Sequence, residues 1–255
     1  MTWALDWISY PRAIFMLLLG AVSTVTLSIL VVLAAGLTKS RRLVDFIIVR
    51  LWSVPLVLAS GVRVEVRGAE LVRNSPKGFL ILFNHSSLFD ILVLFGYFPR
   101  SFRYGAKVEL FKIPFFGKAM EVVGILPIDR GNRNKVMKIY NQAISRIDNG
   151  ECFALAPEGT RQDSTELGRF KRGPFEFAIN AQVNIVPVIL AGAYDVLPKT
   201  TLRVNWGRFR RKVILQILPP VPASEHGLEN VEALQEQVRA QMAPVLTRLN
   251  AEINS

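Results

Sequence analysis

FLILFNHSSLFDILVLF, residues 79–95, is the stretch that decides the fold. Its first part, Phe79 to Phe83, is a continuous apolar run, which is typical of a strand in a sheet that is covered on both faces. The next residues, NHSS, are polar and lie where a helix could begin. A buried strand that leads directly into a helix predicts an α/β domain.

The same alternation of short apolar runs and longer amphipathic ones continues beyond residue 60. Val62 to Val66 alternates valine with charged residues, which predicts a half-exposed edge strand. Apolar residues at helical spacing from Val136 to Ile147, and again from Val231 to Leu249, predict two helices that face the core. The other predicted strands are Gly124 to Ile128, Cys152 to Ala156, Ile185 to Leu190, Leu202 to Asn205 and Val213 to Leu218. The predicted fold is α/β, with a central, mostly parallel sheet flanked by helices.

An uncharged apolar run from Ala13 to Leu37 precedes this domain. A helix of about 25 residues is long enough to cross the roughly 30 Å hydrocarbon core of a bilayer. Arg12 lies before the run, and Lys39, Arg41 and Arg42 follow it, so the excess of positive charge places its C-terminal side in the cytoplasm. We therefore expect a cytoplasmic (inner) membrane protein whose folded domain faces the cytoplasm.

Other interpretations of this region are weaker. The run is too long for a cleaved signal peptide, and the charged residues on either side of it do not fit one. Its length also argues against the core helix of a soluble protein. A second apolar stretch, Leu43 to Leu58, is interrupted by Asp45, Arg50 and Pro55, so it is typical of an interfacial segment. The two stretches form either a spanning helix with an interfacial partner or a helical hairpin in one leaflet.

Composition limits the chemistry. Hydrophobic residues make up 51% of the 255 residues, more than is usual for a soluble domain, which indicates contact with lipid. The net charge of +11 implies an anionic partner: nucleic acid, an anionic membrane surface or a phosphorylated substrate. One cysteine, Cys152, excludes an internal disulfide framework, and two histidines are too few for a structural zinc cluster. We expect neither a metal nor a cofactor.

His85 is the first candidate for chemistry. Ligands of open α/β sheets gather at the carboxyl ends of the strands, where this histidine is predicted to lie. Asp90 follows five residues later and, from the first turns of the helix, can accept a hydrogen bond from one ring nitrogen. The other nitrogen is then free to act as a general base. The spacing alone is a weak signal, and the alternative is a capping histidine with an aspartate placed by the helix dipole.

Charged and polar residues follow other predicted strands. In APEGTR, Gly159 lets the backbone approach a ligand, Thr160 offers a hydroxyl, and the planar guanidinium of Arg161 suits phosphate oxygens. Arg130 ends GILPIDR, and Lys107 follows FRYGA. Together these side chains predict an anion pocket beside a base, although each cation taken singly is more often a solvated surface charge.

Four sequence blocks occur in an order that resembles the 1-acyl-sn-glycerol-3-phosphate acyltransferases and related glycerolipid acyltransferases. The blocks are NHSSLFD from Asn84, GILPIDR from Gly124, PEGTR from Pro157 and IVPVILAG from Ile185. KVELFKIPFFG and FKRGPF are also similar to that family. The resemblance covers most of the chain beyond the apolar run.

The resemblance implies site residues and partners. His85 and Asp90 would form the catalytic dyad, and Glu158 and Gly159 would shape the site. The residues implied to bind substrate are Lys107, Arg130, Glu158, Gly159, Thr160 and Arg161. The partners implied are a lysophospholipid acceptor, an acyl-CoA or acyl-carrier-protein donor and the membrane. Residues 1–60 would be the membrane-anchoring helical segment and residues 61–255 the acyltransferase catalytic domain.

The expected reaction is that of a 1-acylglycerol-3-phosphate O-acyltransferase. His85 would take the proton of the free sn-2 hydroxyl of lysophosphatidic acid, which attacks the donor thioester directly to give phosphatidic acid. No G-x-S-x-G elbow is present, and Cys152 lies in a predicted buried strand, so no acyl-enzyme is expected. Other acceptors remain open: lyso-ornithine lipid, another lysophospholipid, or glycerol 3-phosphate.

Two non-enzymatic classes compete with this interpretation. A membrane-tethered nucleic-acid-binding protein would account for the charge, but no zinc-finger, RNA-recognition or basic-zipper pattern occurs. The basic residues are dispersed apart from RFRRK, Arg208 to Lys212. A non-catalytic lipid-binding protein would leave the His85 and Asp90 pairing unexplained. We therefore expect no nucleic acid among the partners.

Overall fold

The computed structural model describes residues 2–206 and 209–254. Arg208, the first residue of the basic RFRRK cluster, lies outside the described residues. The strands are β1 (Arg63–Arg67), β2 (Leu80–Phe83), β3 (Phe102–Lys107), β4 (Leu126–Ile128), β5 (Cys152–Leu155), β6 (Asn184–Ala191), β7 (Lys212–Ile217) and β8 (Val221–Pro222).

Helices surround these strands. They are α1 (Thr2–Thr38), α2 (Arg41–Phe46), α3 (Val54–Ala59), α4 (Glu70–Arg73), α5 (Phe89–Tyr97), α6 (Phe116–Val123), α7 (Arg133–Asp148), α8 (Gly173–Asn180), α9 (Ala193–Val196) and α10 (Val231–Asn254). A π-helical segment, Ile47–Ser53, joins α2 to α3. Short 3₁₀ turns occupy Val108–Lys112, Ala223–Glu225 and Leu228–Asn230.

The strands form one mostly parallel sheet in the order β1-β7-β6-β2-β5-β3-β4. Strands β6, β2, β5, β3 and β4 all run in the same direction, whereas β7 is antiparallel to β6. β1 runs parallel to β7, and the two-residue β8 pairs antiparallel with β6. The predicted α/β class and mostly parallel sheet are confirmed. The five parallel strands end at a common edge, called the carboxyl edge below.

Successive side chains of each strand enter cores on opposite faces of the sheet. Leu80 and Leu82 pack with the core under α7, α8 and α10, whereas Ile81 and Phe83 pack with the core under α5. The helices α1, α2 and α6 form a third cluster on the α5 side, around Met120. The predicted inward faces of α7 and α10 are therefore buried, and the N-terminal helices lie on the face opposite to α10.

One predicted strand, Leu202 to Asn205, is wrong. Asn205 has a φ of 53°, in the left-handed region that a strand cannot contain. Its backbone N–H donates to the Val196 carbonyl (2.6 Å), and its side chain donates to the Ser60 carbonyl (2.8 Å). These tertiary bonds replace a strand ladder, so the segment forms a turn that the apolar pattern could not reveal.

The N-terminal helix exposes most of its apolar surface. Ser9–Thr38 is long and apolar enough to cross a membrane, and only 17% of its most hydrophobic window is buried. The large apolar side chains exposed along α1 include Ile14, Phe15, Leu17, Leu18, Val22, Val25, Leu33 and Leu37. Since solvent exposure of so large an apolar surface is unfavourable, α1 indicates association with a membrane.

Both ends of α1 contact the folded domain. Near its start, the Arg12 guanidinium donates to the Asn205 carbonyl, and Tyr10 packs edge-on against Trp206 at 4.6 Å between ring centroids. Just beyond its end, Arg41 pairs with Glu151, the residue before β5. The domain therefore lies beside α1 along its length.

Candidate active site

Asn84 fixes the point at which β2 ends. Its side-chain amide donates to the Leu190 carbonyl (3.0 Å), and its side-chain oxygen accepts from the Leu190 N–H (2.7 Å). The side chain thus takes over the hydrogen bonds that a further residue of β2 would have made to β6. The next residue, His85, therefore leaves the sheet at the carboxyl edge.

Asp90 orients the His85 ring from the first turn of α5. The His85 Nδ1 lies 2.8 Å from Asp90 Oδ2, and the backbone N–H groups of Ser86 and Ser87 each donate to the same oxygen at 2.9 Å. Because a carboxylate only accepts, Nδ1 carries the proton in this pair. Nε2 is then left with a lone pair. Asp90 is fully buried, and 8% of the His85 side chain is exposed.

Glu158, in the loop that follows the neighbouring strand β5, holds the backbone of His85. One of its carboxylate oxygens accepts from the His85 N–H and the other from the Gly168 N–H, each at 3.0 Å. The Gln162 N–H donates to the His85 carbonyl at 2.8 Å. Both peptide groups of His85 are therefore fixed by the loop that follows β5.

The turn formed by Glu158, Gly159 and Thr160 positions the loop that follows β5. Gly159 has a φ of +73°, which disfavours a side chain, and a Cβ there would lie 3.3 Å from the Lys171 Cγ. Its N–H donates to the Ala156 carbonyl at 3.0 Å. Thr160 is exposed, and its hydroxyl makes no hydrogen bond within the described part of the chain. Gly159 therefore shapes the turn, while Thr160 faces outward.

Arg130 and Arg161 act electrostatically on Tyr104 of β3. Burial and the nearby Asp90 charge raise the pKa of the Tyr104 phenol, and the positive charges of Arg130 and Arg161 oppose that rise. The Phe83 ring lies between Tyr104 and His85, with centroid distances of 5.6 Å and 5.7 Å. The two guanidiniums therefore act on a group close to His85.

Neither guanidinium has a carboxylate partner within residues 2–206 and 209–254. Several other arginines, by contrast, are engaged: Arg103 pairs with Asp45, Arg133 with Glu176 and Arg146 with Glu151. Unpaired guanidiniums at the carboxyl edge can bind an anionic ligand without first breaking an ion pair.

Lys107 lies at the same edge, opposite Ile128 of β4, but its amino group is paired rather than free. It ends β3, its partner is Glu109 at 3.3 Å, and about half of the side chain is exposed. Tyr104, in contrast, was missed by sequence reasoning. The alternation of Phe102, Tyr104 and Ala106 on one face of β3 is the signal that could have placed it beside the site.

The described residues offer no metal site, since no three His, Cys, Asp or Glu side chains in them converge as ligands. Cys152 is buried within β5, and burial raises the pKa of its thiol. A thiol in such surroundings is a poor nucleophile. The polar groups that can do chemistry at the carboxyl edge are therefore the His85 imidazole and its carboxylate and guanidinium neighbours.

The first testable prediction concerns Glu158. Burial raises the pKa of its carboxyl from 4.5 to about 7, although the N–H groups of His85 and Gly168 oppose the rise. A carboxyl with a higher pKa in the folded chain contributes stability that is present below pH 4.5 and lost as the pH rises through 7. We expect this contribution to be on the order of 3 kcal/mol.

Urea unfolding in detergent, measured between pH 4.5 and 8, tests this prediction. The wild-type free energy of unfolding should fall across that range relative to that of Glu158→Gln, which cannot titrate. Parallel pH profiles for the two proteins would contradict it.

Comparison with known proteins agrees with this architecture. The family profile described as Acyltransferase matches residues 63–191, just over half of the chain. The 1-acyl-sn-glycerol-3-phosphate acyltransferase alpha of Ovis aries is 29% identical over 215 residues, 84% of this chain and 73% of that protein. The 1-acyl-sn-glycerol-3-phosphate acyltransferase of Saccharomyces cerevisiae is 29% identical over 217 residues, 84% of this chain and 69% of that protein.

A solved structure shares the fold. The crystal structure of the 1-acyl-sn-glycerophosphate acyltransferase PlsC from Thermotoga maritima superposes with a TM-score of 0.80. The match covers 97% of this chain and 98% of that one, at 24% sequence identity. The predicted family resemblance and enzyme class are confirmed. With the profile match spanning β1 to β6, this chain belongs to the acyltransferase family.

Proposed function

We propose that this acyltransferase transfers a fatty acyl group from a thioester donor, acyl-CoA or acyl-carrier protein, to the free sn-2 hydroxyl of lysophosphatidic acid, giving phosphatidic acid. The observation that carries the proposal is the 2.8 Å contact between His85 Nδ1 and Asp90 Oδ2 at the carboxyl edge, with Arg130 and Arg161 nearby and unpaired within residues 2–206 and 209–254. The similarity to 1-acyl-sn-glycerol-3-phosphate acyltransferases supports the choice of acceptor.

In the proposed mechanism, His85 Nε2 takes the proton of the acceptor hydroxyl as the oxygen attacks the thioester carbonyl carbon. The Asp90 carboxylate stabilises the imidazolium that forms. When the tetrahedral intermediate collapses, the C–S bond breaks and the thiolate leaves with the proton from the imidazolium. The products are the ester and the free thiol, and His85 returns to its neutral form.

Direct transfer is favoured over an acyl-enzyme. Cys152 is sealed inside β5, and Ser86 is held by its backbone N–H on Asp90 Oδ2. The single imidazole of the dyad serves as base in the attack and as acid in the departure of the thiolate. A trapped acyl-Ser86 ester after incubation with donor alone would overturn this route.

We propose that Arg130 and Arg161 bind the phosphate of the acceptor, which gives a second prediction. Arg161→Met or Arg130→Met should raise the KM for lysophosphatidic acid by about ten- to hundredfold, because a charge-assisted hydrogen bond is lost. The effect on monoacylglycerol, which has no phosphate, should be small. Arg73→Met, an exposed cation on α4, is the matched control. Equal losses on both acceptors would refute the assignment.

Thioester release by the detergent-purified protein tests the function itself. The acceptors to compare are lysophosphatidic acid, glycerol 3-phosphate, lyso-ornithine lipid and other lysophospholipids, each with acyl-CoA and with acyl-carrier protein. Lysophosphatidic acid should give the highest kcat/KM. A preference of tenfold or more for another acceptor would replace it as the substrate, and no transfer to any of them would refute the proposal.

We also propose that α1, α2 and α3 lie in one leaflet of the cytoplasmic membrane, with the domain in the cytoplasm. A helix that crossed the bilayer would place its ends on opposite sides, yet Arg12 contacts Asn205 and Arg41 contacts Glu151 of the same domain. The basic residues at the end of α1 favour the cytoplasmic side.

Thiol labelling tests this orientation, which is the third prediction. Pro11→Cys and Lys39→Cys should both react with a membrane-impermeant maleimide in inside-out vesicles, and neither should react in right-side-out vesicles. Native Cys152 is buried and provides the background. Labelling of the two positions from opposite sides would show a spanning helix instead.

A further inference from the structure

A cleft of about 750 Å³ opens between the segment Gly168 to Gly173, called the FKRG loop after its last four residues, and the first turns of α10. Its charged lining consists of four cations, Arg169, Lys171, Arg172 and Arg239, and two carboxylates, Glu232 and Glu236. This volume is in the range of sites that bind small molecules. The cleft, called the α10 cleft below, is separate from the dyad and is not used in the mechanism above.

The cations of the α10 cleft fall into two groups. Arg172 is neutralised by Glu176 and Glu232, and Arg239 donates to the carbonyls of Leu167 and Gly168. Arg169 and Lys171 are exposed and have no ion pair or side-chain hydrogen bond within the described ranges. Two positive charges are thus held on a well-anchored loop without a protein partner.

The FKRG loop is anchored directly to the active site. The Lys171 N–H donates to the Pro157 carbonyl at 2.7 Å, and the Lys171 stem passes over Gly159. At the start of the loop, the Gly168 N–H and the His85 N–H bind opposite oxygens of the Glu158 carboxylate. A ligand in the α10 cleft would therefore lie one loop away from His85.

The position of the cleft separates it from the acceptor lipid. It is formed by α10 and the loop before α8, and both helices cover the sheet face opposite to α1, α2 and α6. In the leaflet arrangement proposed above, a lipid acceptor would enter on the α1 side, and the α10 cleft lies on the face turned away from the membrane. A donor bound in this cleft would therefore be soluble in water and would need a long arm to reach the dyad.

We propose that the α10 cleft binds the phosphate groups of the coenzyme A moiety of the acyl donor, through Arg169 and Lys171. The inference rests on the proposed acyl transfer. Guanidinium and ammonium groups are the side chains that bind phosphate most strongly. A concave cleft suits the compact 3′-phospho-ADP portion, whereas a protein carrier would need a broad surface. The pantetheine arm then extends along the FKRG loop toward His85.

Kinetics with two donors test the inference. Arg169→Met and Lys171→Met retain the aliphatic stems and remove the charges. Each variant should raise the KM for acyl-CoA about tenfold or more, since a hydrogen bond to a charged group is lost. The kcat, the KM for the lysolipid and the kcat/KM for acyl-pantetheine, which lacks the nucleotide, should not change. Arg248→Met, an exposed cation farther along α10, is the matched control.

Equilibrium binding separates this inference from the function. Titration of the purified protein with 3′,5′-ADP should give saturable binding that Arg169→Met and Lys171→Met weaken, whether or not lysophosphatidic acid is the acceptor. Binding without acyl transfer would refute the proposed function and leave the cleft assignment intact. Unchanged acyl-CoA kinetics in both variants, or a raised KM only for acyl-carrier protein, would overturn the cleft assignment.

Discussion

Replacing His85 with alanine is expected to lower kcat by about 10²- to 10⁴-fold, the usual contribution of a positioned general base. Alanine removes the only imidazole at the carboxyl edge among the residues described, since His226 lies near the start of α10. The fold should survive, because Glu158 and Gln162 hold His85 through its backbone rather than its ring. Thioester release with lysophosphatidic acid is the measurement.

His226→Ala is the matched control for this change. That ring is hydrogen-bonded to Gln237 at 3.1 Å and follows β8, which pairs with the start of β6 rather than with its carboxyl end. Its loss should leave kcat unchanged. Turnover by His85→Ala within threefold of the wild type would show that another group takes the proton.

Asp90→Asn is expected to give the second large loss. Three N–H groups converge on Asp90 Oδ2, so the asparagine carbonyl oxygen should take that position. Its amide nitrogen would then occupy the place of Oδ1, which is buried and without a hydrogen-bond partner among the described residues. The ring orientation is kept, but no negative charge faces the imidazolium.

The kcat of Asp90→Asn should fall at least about 10²-fold, and up to about 10⁴-fold if the amide inverts and forces the other histidine tautomer. A kcat within a few-fold of the wild-type value would show that the charge of Asp90 is not required. The double variant His85→Ala/Asp90→Asn should be no slower than His85→Ala alone, because the carboxylate acts through the imidazole. Multiplicative losses would indicate a separate role for Asp90.

Local patterns in the sequence predicted most of the secondary structure. The apolar run that becomes β2 and the amphipathic stripes of α7 and α10 lie within five residues of their predicted bounds, whereas α1 begins at Thr2, well before the predicted start at Ala13. Such patterns are informative because burial of a strand or of a helix face is repeated along the chain itself. Leu202 to Asn205 failed as a strand because contacts to Ser60 and Val196 determine its backbone.

The sequence predicted which residues form the site, but not how they are arranged in space. His85 and Asp90 are close in sequence, so a strand followed by a helix is enough to bring them together. Arg130 and Arg161 follow different strands, and their approach to Tyr104 depends on the order of β2, β5, β3 and β4 in the sheet. Lys107, by contrast, pairs with Glu109, which is only two residues away in the chain.

By itself, the sequence determined the α/β class, the apolar anchor and the dyad, because each is encoded by residues that are neighbours along the chain. Only the tertiary structure decided that Glu158 holds the His85 backbone, that both ends of α1 contact one domain, and that two unpaired cations line the α10 cleft. The physical reason is that these contacts join residues far apart in the chain. Strand order and helix packing set them, and no local periodicity records either.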